Sequence, residues 1–364
     1  MICFLRTSAA GFDIRLKKYI QACEKTDTPY MAITWNRLSN ATPMLNELSF
    51  QHAAPYGYGH RMRNFLQLIL WCLFAIRLLI VHRKKYKVIH ACNVETMPVA
   101  FIIHLLLHKK VIFDIYDTSG HANLERFFIL HSNLLIIPHR KRLEQEYTDE
   151  EEIQNLLVIE NVPVFDKERV SNEKMTQVNQ IVLSYVGTFQ RNIRGLENIL
   201  QLVQDDDRFI LEIAGSGDDF ENDLLEASKK CSRIHFHGAV KYDKALDIMN
   251  NSDFIYAQYF LKAPVHKYAS PNKYYESLFL GVPILTTENT LVGSQVIDGN
   301  TGYAIGEEYK DLANMFKCID ELFLKDYHKK EKRAKEIWSS HYSSYFQEQM
   351  VNHYIKYCRC LANK

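Results

Sequence analysis

No two cysteines in this chain stand at the C-x-x-C spacing of a zinc or dithiol site. The eight thiols lie at positions 3, 23, 72, 92, 231, 318, 358 and 360, and the one close pair is Cys358-x-Cys360. Such scatter reads as buried cysteines of a protein kept in a reducing compartment. Excess charge is missing too: 44 Lys and Arg oppose 43 Asp and Glu, a net charge of +1, so nucleic acid is not expected as a partner. Neither half offers a G-x-G-x-x-G after a first strand, which disfavours a nicotinamide dehydrogenase. Arg6 interrupts the opening MICFL run, which fits a first β-strand better than a secretory signal, so a cytoplasmic protein is expected. Long hydrophobic runs are scarce as well. A membrane span needs about 20 apolar residues; the longest run, Phe65–Val81, has 17 and includes Gln67 and Arg77. It reads as a long helix packed on a core. Arg61 and Arg63 precede it and Arg83, Lys84, Lys85 and Lys87 follow, so the sharper alternative is a helix that also rests on an anionic membrane surface.

What is present is the composition of a globular protein, 47% apolar and 24% charged, over 364 residues, enough for two α/β domains. Short apolar runs alternate with helical patterns. Strands are expected at 2–5, 30–34, 88–91, 111–116, 134–137 and 157–160, then at 181–186, 209–214, 234–236, 254–257 and 283–286. Between the two sets, the polar stretch 161–180 around Pro163 reads as a linker. Alternation of this kind argues a parallel, doubly wound sheet in each half. The expected domains are 1–165, on the acceptor side, and 175–340, holding a nucleotide, with a helix over 341–364 packing back toward the first.

Three stretches of the second half carry chemistry. In the first, a strand ends at Gly187, a loop with Arg191 and Arg194 follows, and a helix begins near Gly195, with Leu196, Ile199, Leu200 and Val203 on one face. Open α/β sheets bind ligands at the carboxyl ends of their strands, and a helix N-terminus with two arginines suits a diphosphate. The second is Gly215-Ser216-Gly217 after a strand, which allows close backbone approach to a ligand but equally fits a tight turn. The third is Ser270-Pro271-Asn272-Lys273-Tyr274-Tyr275-Glu276, closed by Gly281. Ser270 is expected to cap a helix of about three turns with Pro271 at its first position. The free N–H groups of Asn272 and Lys273, with the lysine charge, would hold phosphate oxygens, and Glu276 one turn on can accept both hydroxyls of a ribose.

In this order and spacing, over roughly residues 180 to 305, these pieces resemble the C-terminal domain of the family 4 retaining glycosyltransferases of the GT-B fold. His235-Phe-His-Gly238, Asn251-Ser-Asp253 and Asp298-Gly299-Asn-Thr-Gly302 extend the resemblance. The S-P-N-K-x-x-E form is similar to enzymes of bacterial surface-polysaccharide assembly, including O-antigen, capsule and lipopolysaccharide. The resemblance implies two Rossmann-like domains with parallel sheets facing across a cleft. It implies a donor that is a nucleotide-diphosphate sugar, UDP- or GDP-linked, and a hydroxyl acceptor on a glycan carried by a lipid. Transfer would proceed with retention of configuration, at the inner face of the membrane. No metal requirement or other cofactor is expected, because cations and a helix N-terminus would hold the leaving diphosphate.

Carried over by position, the donor-binding set is Gly187, Arg191, Arg194, Gly215, Gly217, Gly238, Asn272, Lys273 and Glu276. The catalytic set is Asp117, Arg194 and Lys273. The chain departs from the family in three places: Tyr268 replaces the first glutamate of a pair, Thr188 replaces an arginine, and Tyr116 or Asp117 replaces an active-site histidine. Asp117 reads equally as a buried structural carboxylate. Two other functions share the expected fold, a sugar-nucleotide epimerase and a non-catalytic subunit that binds sugar nucleotide.

Overall fold

The computed structural model describes residues 1–8, 13–37, 46–55, 60–116, 120–145, 153, 155–165, 180–217, 219–317 and 319–363. Two compact units result, one formed by residues 1–164 with 344–364 and the other by residues 165–343.

The first unit is a seven-stranded parallel sheet in the order β3-β2-β1-β4-β5-β6-β7. Its strands are β1 (Ile2–Arg6), β2 (Tyr30–Asn36), β3 (Ser49–Ala53), β4 (Val88–Cys92), β5 (Lys110–Asp114), β6 (Leu134–Ile137) and β7 (Leu156–Val158). The helices are α1 (Ile14–Lys25), α2 (Arg61–Val81), α3 (Met97–Leu107), α4 (Ala122–Leu130) and the short α5 (Arg142–Gln145). Alternate residues of each strand serve opposite faces, as a sheet covered on both sides requires. Cys3, Leu5, Met31, Ile33 and Phe113 pack with Trp71, Ala75, Leu79, Ala100, Ile103 and Phe128 of α2, α3 and α4. Ile2, Phe4, Tyr30, Ala32 and Ile112 pack instead with α1 and with the C-terminal helical run, through Leu16, Tyr19, Met350, Tyr354, Ile355, Cys358 and Leu361. Sequence periodicity did not suggest β3, whose edge sequence SFQHA is half polar. Nor is α2 wholly packed, the first reading of that run: only one stripe, Trp71, Ala75 and Leu79, is fully buried.

A buried polar network ties this unit together. Arg15 forks onto Asp114 at 2.7 and 3.2 Å, and His90 Nε2 meets the same carboxylate at 3.2 Å. Burial alone would raise the Asp114 carboxyl, but Arg15 and His90 outweigh it and hold it at about 2. Tyr354 OH lies 2.8 Å from His90 Nδ1.

The second unit is a six-stranded parallel sheet in the order β10-β9-β8-β11-β12-β13. Its strands are β8 (Ile181–Phe189), β9 (Phe209–Gly217), β10 (Ile234–Phe236), β11 (Phe254–Ala257), β12 (Ile284–Thr287) and β13 (Gly302–Ile305). The helices are α6 (Leu196–Asp205), α7 (Phe220–Lys230), α8 (Tyr242–Asn250), α9 (Asn272–Leu280), α10 (Leu291–Gly299), α11 (Tyr309–Met315) and α12 (Glu321–Ile337). β8 has β9 on one side and β11 on the other, so the strand order reverses beside it, the position where open α/β sheets take ligands.

The Tyr354–His90 contact gives the first prediction. Tyr354→Phe leaves a buried imidazole nitrogen without its partner, so the unfolding transition of this unit should lose about 1–3 kcal/mol. Denaturant titration checks it, and an unchanged midpoint would refute it.

Candidate active site

The β8–β9 pairing sets the geometry. Gly187 pairs with Gly215 and Phe189 with Gly217. A Cβ on Gly215 would fall 1.8 Å from the Gly187 carbonyl oxygen, and one on Gly217 would fall 2.1 Å from that of Phe189. Both glycines therefore lie inside β9, not in the turn expected after it, and the close strand contact alone accounts for them. Gly215 N–H also donates to the Gly238 carbonyl at 2.8 Å, which places Gly238, at φ 63°, beside the same strand ends.

Beyond β8 the chain turns through Asn192, at φ 58°, into Gly195, which holds φ 63° at the start of α6. A side chain at Gly195 would strike Gln258 and Tyr256 at 2.5 and 2.6 Å, and Tyr256 OH donates to the Gly195 carbonyl at 2.7 Å. The loop is thereby fixed against the end of β11. Arg194 Nε donates to Gln190 at 3.1 Å, and its guanidinium stands 4.9 Å from the centre of the Tyr259 ring. Arg191 instead pairs with Asp219 and Asp223 and lies over Phe220, so carboxylates at the start of α7 answer its charge.

The helix α9 begins one residue later than expected. Pro271, with extended backbone, is its N-cap, and Ser270 meets Tyr275 OH at 3.3 Å and does not cap it. Pro271 offers no side-chain cap, which leaves the first N–H groups, those of Asn272 and Lys273, for an anion. Gly281, at φ 64°, ends the helix and donates to Ser277.

Lys273 Nζ stands 2.9 Å from where a Gly187 Cβ would be, and 5.6 Å from the centre of the Tyr185 ring. Burial lowers its pKa, Glu276 raises it and Arg194 lowers it again, so the three charges act on one another. Glu276 is buried, and burial raises its pKa while Lys273 and a hydrogen bond from Tyr242 bring it down. Tyr242 OH, at the start of α8, donates to Glu276 Oε1 at 2.9 Å. Gly187, Arg194, Lys273 and Glu276, distant in sequence, are thus gathered at the carboxyl ends of β8 and β11. Sequence reasoning missed Tyr242 and Tyr259, since a single tyrosine at a helix start or after a strand carries no spacing signal.

The first unit carries a polar cluster of its own. Asp117 lies outside the described residues. Tyr116 is buried, with the guanidinium groups of Arg6 and Arg15 at 4.4 and 4.7 Å from its ring centre, and its carbonyl accepts from Arg142. His90, Cys92 and Asp114 lie close enough together to share a metal ion, but the Arg15 fork already neutralises that carboxylate.

Glu276 can accept two vicinal hydroxyls only as a carboxylate, so any such binding holds above its pKa and fades as pH falls through it. Tyr242→Phe removes a bond to the charged form and raises that pKa. Nucleoside diphosphate affinity should then begin to fall at a higher pH than in the parent chain, as calorimetry across pH would show. Superimposable pH profiles would deny Tyr242 this role.

Residues 180–323 match the family model described as glycosyl transferases group 1. No curated protein matches the sequence. Among solved structures, sucrose-phosphate synthase from Thermosynechococcus elongatus aligns with TM-score 0.71 and 13% identity, over 100% of this chain and 99% of that one. Anabaena HepE in complex with UDP and glucose aligns with TM-score 0.66 and 15% identity, over 98% of this chain and 99% of that one. The lipopolysaccharide outer core galactosyltransferase WaaB, in apo form, aligns with TM-score 0.64 and 13% identity, over 98% and 99%. The chain has the GT-B fold, with a group 1 glycosyltransferase domain in its second unit.

Proposed function

We propose that this chain, with its group 1 glycosyltransferase domain, moves a sugar from a nucleotide-diphosphate donor to a hydroxyl of a glycan acceptor, with retention of configuration. The observation that carries the reading is the Lys273 ammonium seated over Gly187, with Glu276 one turn further along α9 and Arg194 within electrostatic reach. Glu276 would take the ribose hydroxyls. The open N-terminus of α9, Lys273 and Arg194 would face the diphosphate. As the glycosidic C–O bond to phosphate breaks, negative charge grows on the leaving diphosphate, and these fixed positive groups stabilise it more than they stabilise the bound donor. The acceptor oxygen bonds to the anomeric carbon on the leaving-group face, and its proton passes to the departing phosphate. No protein nucleophile enters that scheme.

UDP is the favoured nucleotide, because UDP, UDP-glucose or UDP with glucose occupies the HepE structures that share this fold. A role in surface polysaccharide assembly, on a lipid-linked acceptor at the cytoplasmic membrane face, is supported by two similar folds, WaaB and the lipopolysaccharide glycosyltransferase WaaG. A thermal-shift panel of nucleoside diphosphates and their sugars tests the donor. A ligand at a hundred times its dissociation constant stabilises the native state by about 2.7 kcal/mol. Turnover of the stabilising donor on a glycan acceptor, with the anomer assigned by NMR, tests the transfer.

Two substitutions test the roles. Glu276→Gln should weaken nucleoside diphosphate binding roughly tenfold or more with the fold unchanged, since hydrogen bonds to a charged group are worth about 1.5–3 kcal/mol; calorimetry that finds equal affinity removes Glu276 from the site. Arg194→Ala should lower kcat by roughly a hundredfold and raise the donor KM much less, since its cation acts on charge that develops in the transition state. A change confined to KM would make Arg194 a binding residue only.

A further inference from the structure

We infer that α2, α3 and α4 together form a docking face for an anionic lipid surface, with α2 lying in the plane of the membrane. All three helices cover the same side of the first unit's sheet and bury their inner stripes in one core. Their outer sides are apolar where solvent would favour polar residues. Of the 18 large apolar side chains that stand exposed in the described chain, eight are on α2, three on α3 and three on α4. Exposed apolar surface concentrated in this way marks an interaction site, whereas isolated exposed leucines do not. The layer is continuous: α2 packs on α3, and Phe101 of α3 meets Phe127 of α4 edge-on at 5.3 Å.

Charge identifies the occupant. Residues 60–110 carry nine Lys and Arg against a single acid, Glu95, in a chain whose overall balance is +1. Arg83, Lys84, Lys85 and Lys87 follow directly on the exposed C-terminal end of α2, at Ile80 and Val81. An apolar face bordered by cations matches the acyl boundary and phosphate headgroups of an anionic leaflet. A protein partner or second copy would need its own dense acidic rim. Although α2 is long and apolar enough to cross a bilayer, Trp71, Ala75 and Leu79 are wholly buried against the sheet. A span would pull these three out of the core, so the helix lies flat.

The inference stands apart from the donor chemistry, and its test separates the two. The purified full chain is sedimented with vesicles of phosphatidylcholine, with and without phosphatidylglycerol, at low and high salt. We expect binding to the anionic vesicles only, reversed by salt. Lys84→Glu with Lys85→Glu, and separately Leu70→Glu with Leu105→Glu, should each weaken it roughly tenfold or more. Leu322→Glu, at a still more exposed leucine on α12, should leave it unchanged. A chain that stays in the supernatant with anionic vesicles, or variants that bind as well as the parent, overturn the proposal. Self-association without vesicle binding assigns the face to a second copy, and release only by detergent replaces the flat helix with a span. In each case nucleoside diphosphate binding, followed by thermal shift, reports the donor site independently.

Discussion

Gly187 has no side chain, and two neighbours crowd the residue. From one side the β9 backbone approaches so closely that a Cβ on Gly215 would overlap the Gly187 carbonyl. From the other, the Lys273 ammonium rests where a Gly187 Cβ would be. Because β8 ends two residues later, this double approach decides where the loop 190–195 leaves the sheet and how closely the first turn of α9 lies to it. A side chain at Gly187 would push Lys273 away, and one at Gly215 would part β9 from β8. The electrostatics of the site therefore depend on an absence of atoms at one position.

With that position fixed, the charges organise one another. Lys273 and Glu276 sit one turn apart on α9, and burial acts against the charged form of both. Each favours the other's ionised state, and the weak dielectric of a half-buried site makes that mutual support larger than it would be in water. Arg194 adds a second cation, so the group of three carries a surplus positive charge, which the anchored loop and the Tyr259 ring hold in place before any ligand arrives. Preorganised charge of this kind need not rearrange when a diphosphate leaves, which makes it effective in catalysis. Arg191 lacks that property, because Asp219 and Asp223 already balance it.

Much of this was legible in the sequence, for identifiable reasons. Strands buried on both faces, such as LLII at β6, announce themselves as unbroken apolar runs, and the helix α9 is bracketed by Pro271 and Gly281. Lys273 and Glu276 could be named because helical spacing brings residues three apart onto one face. The glycines were found for only part of their reason: G-x-G suggested ligand approach, but contact between two strands, which no local pattern encodes, is what excludes a side chain. β3 was missed because an edge strand needs apolar residues on one side only. Two readings of α2 stayed open because a hydrophobic stripe is visible in sequence, whereas whether anything covers its outer side is not.

Two buried carboxylates show how structural and functional acids differ. Asp114 receives both arms of the Arg15 fork and a ring nitrogen of His90, so its lone pairs are occupied within the protein. The half-buried Glu212 is likewise bonded on both oxygens, with His235 on one and His237 on the other, each at 2.6 Å. Glu276 is buried too, yet among the described residues its side chain accepts one hydrogen bond, from Tyr242 on Oε1. Burying a carboxylate with an oxygen still available is costly unless a ligand completes its bonding. Acids bonded on both oxygens have nothing left to offer a ligand, and the one beside Lys273 marks where a polyhydroxylated, anionic ligand would recover that cost.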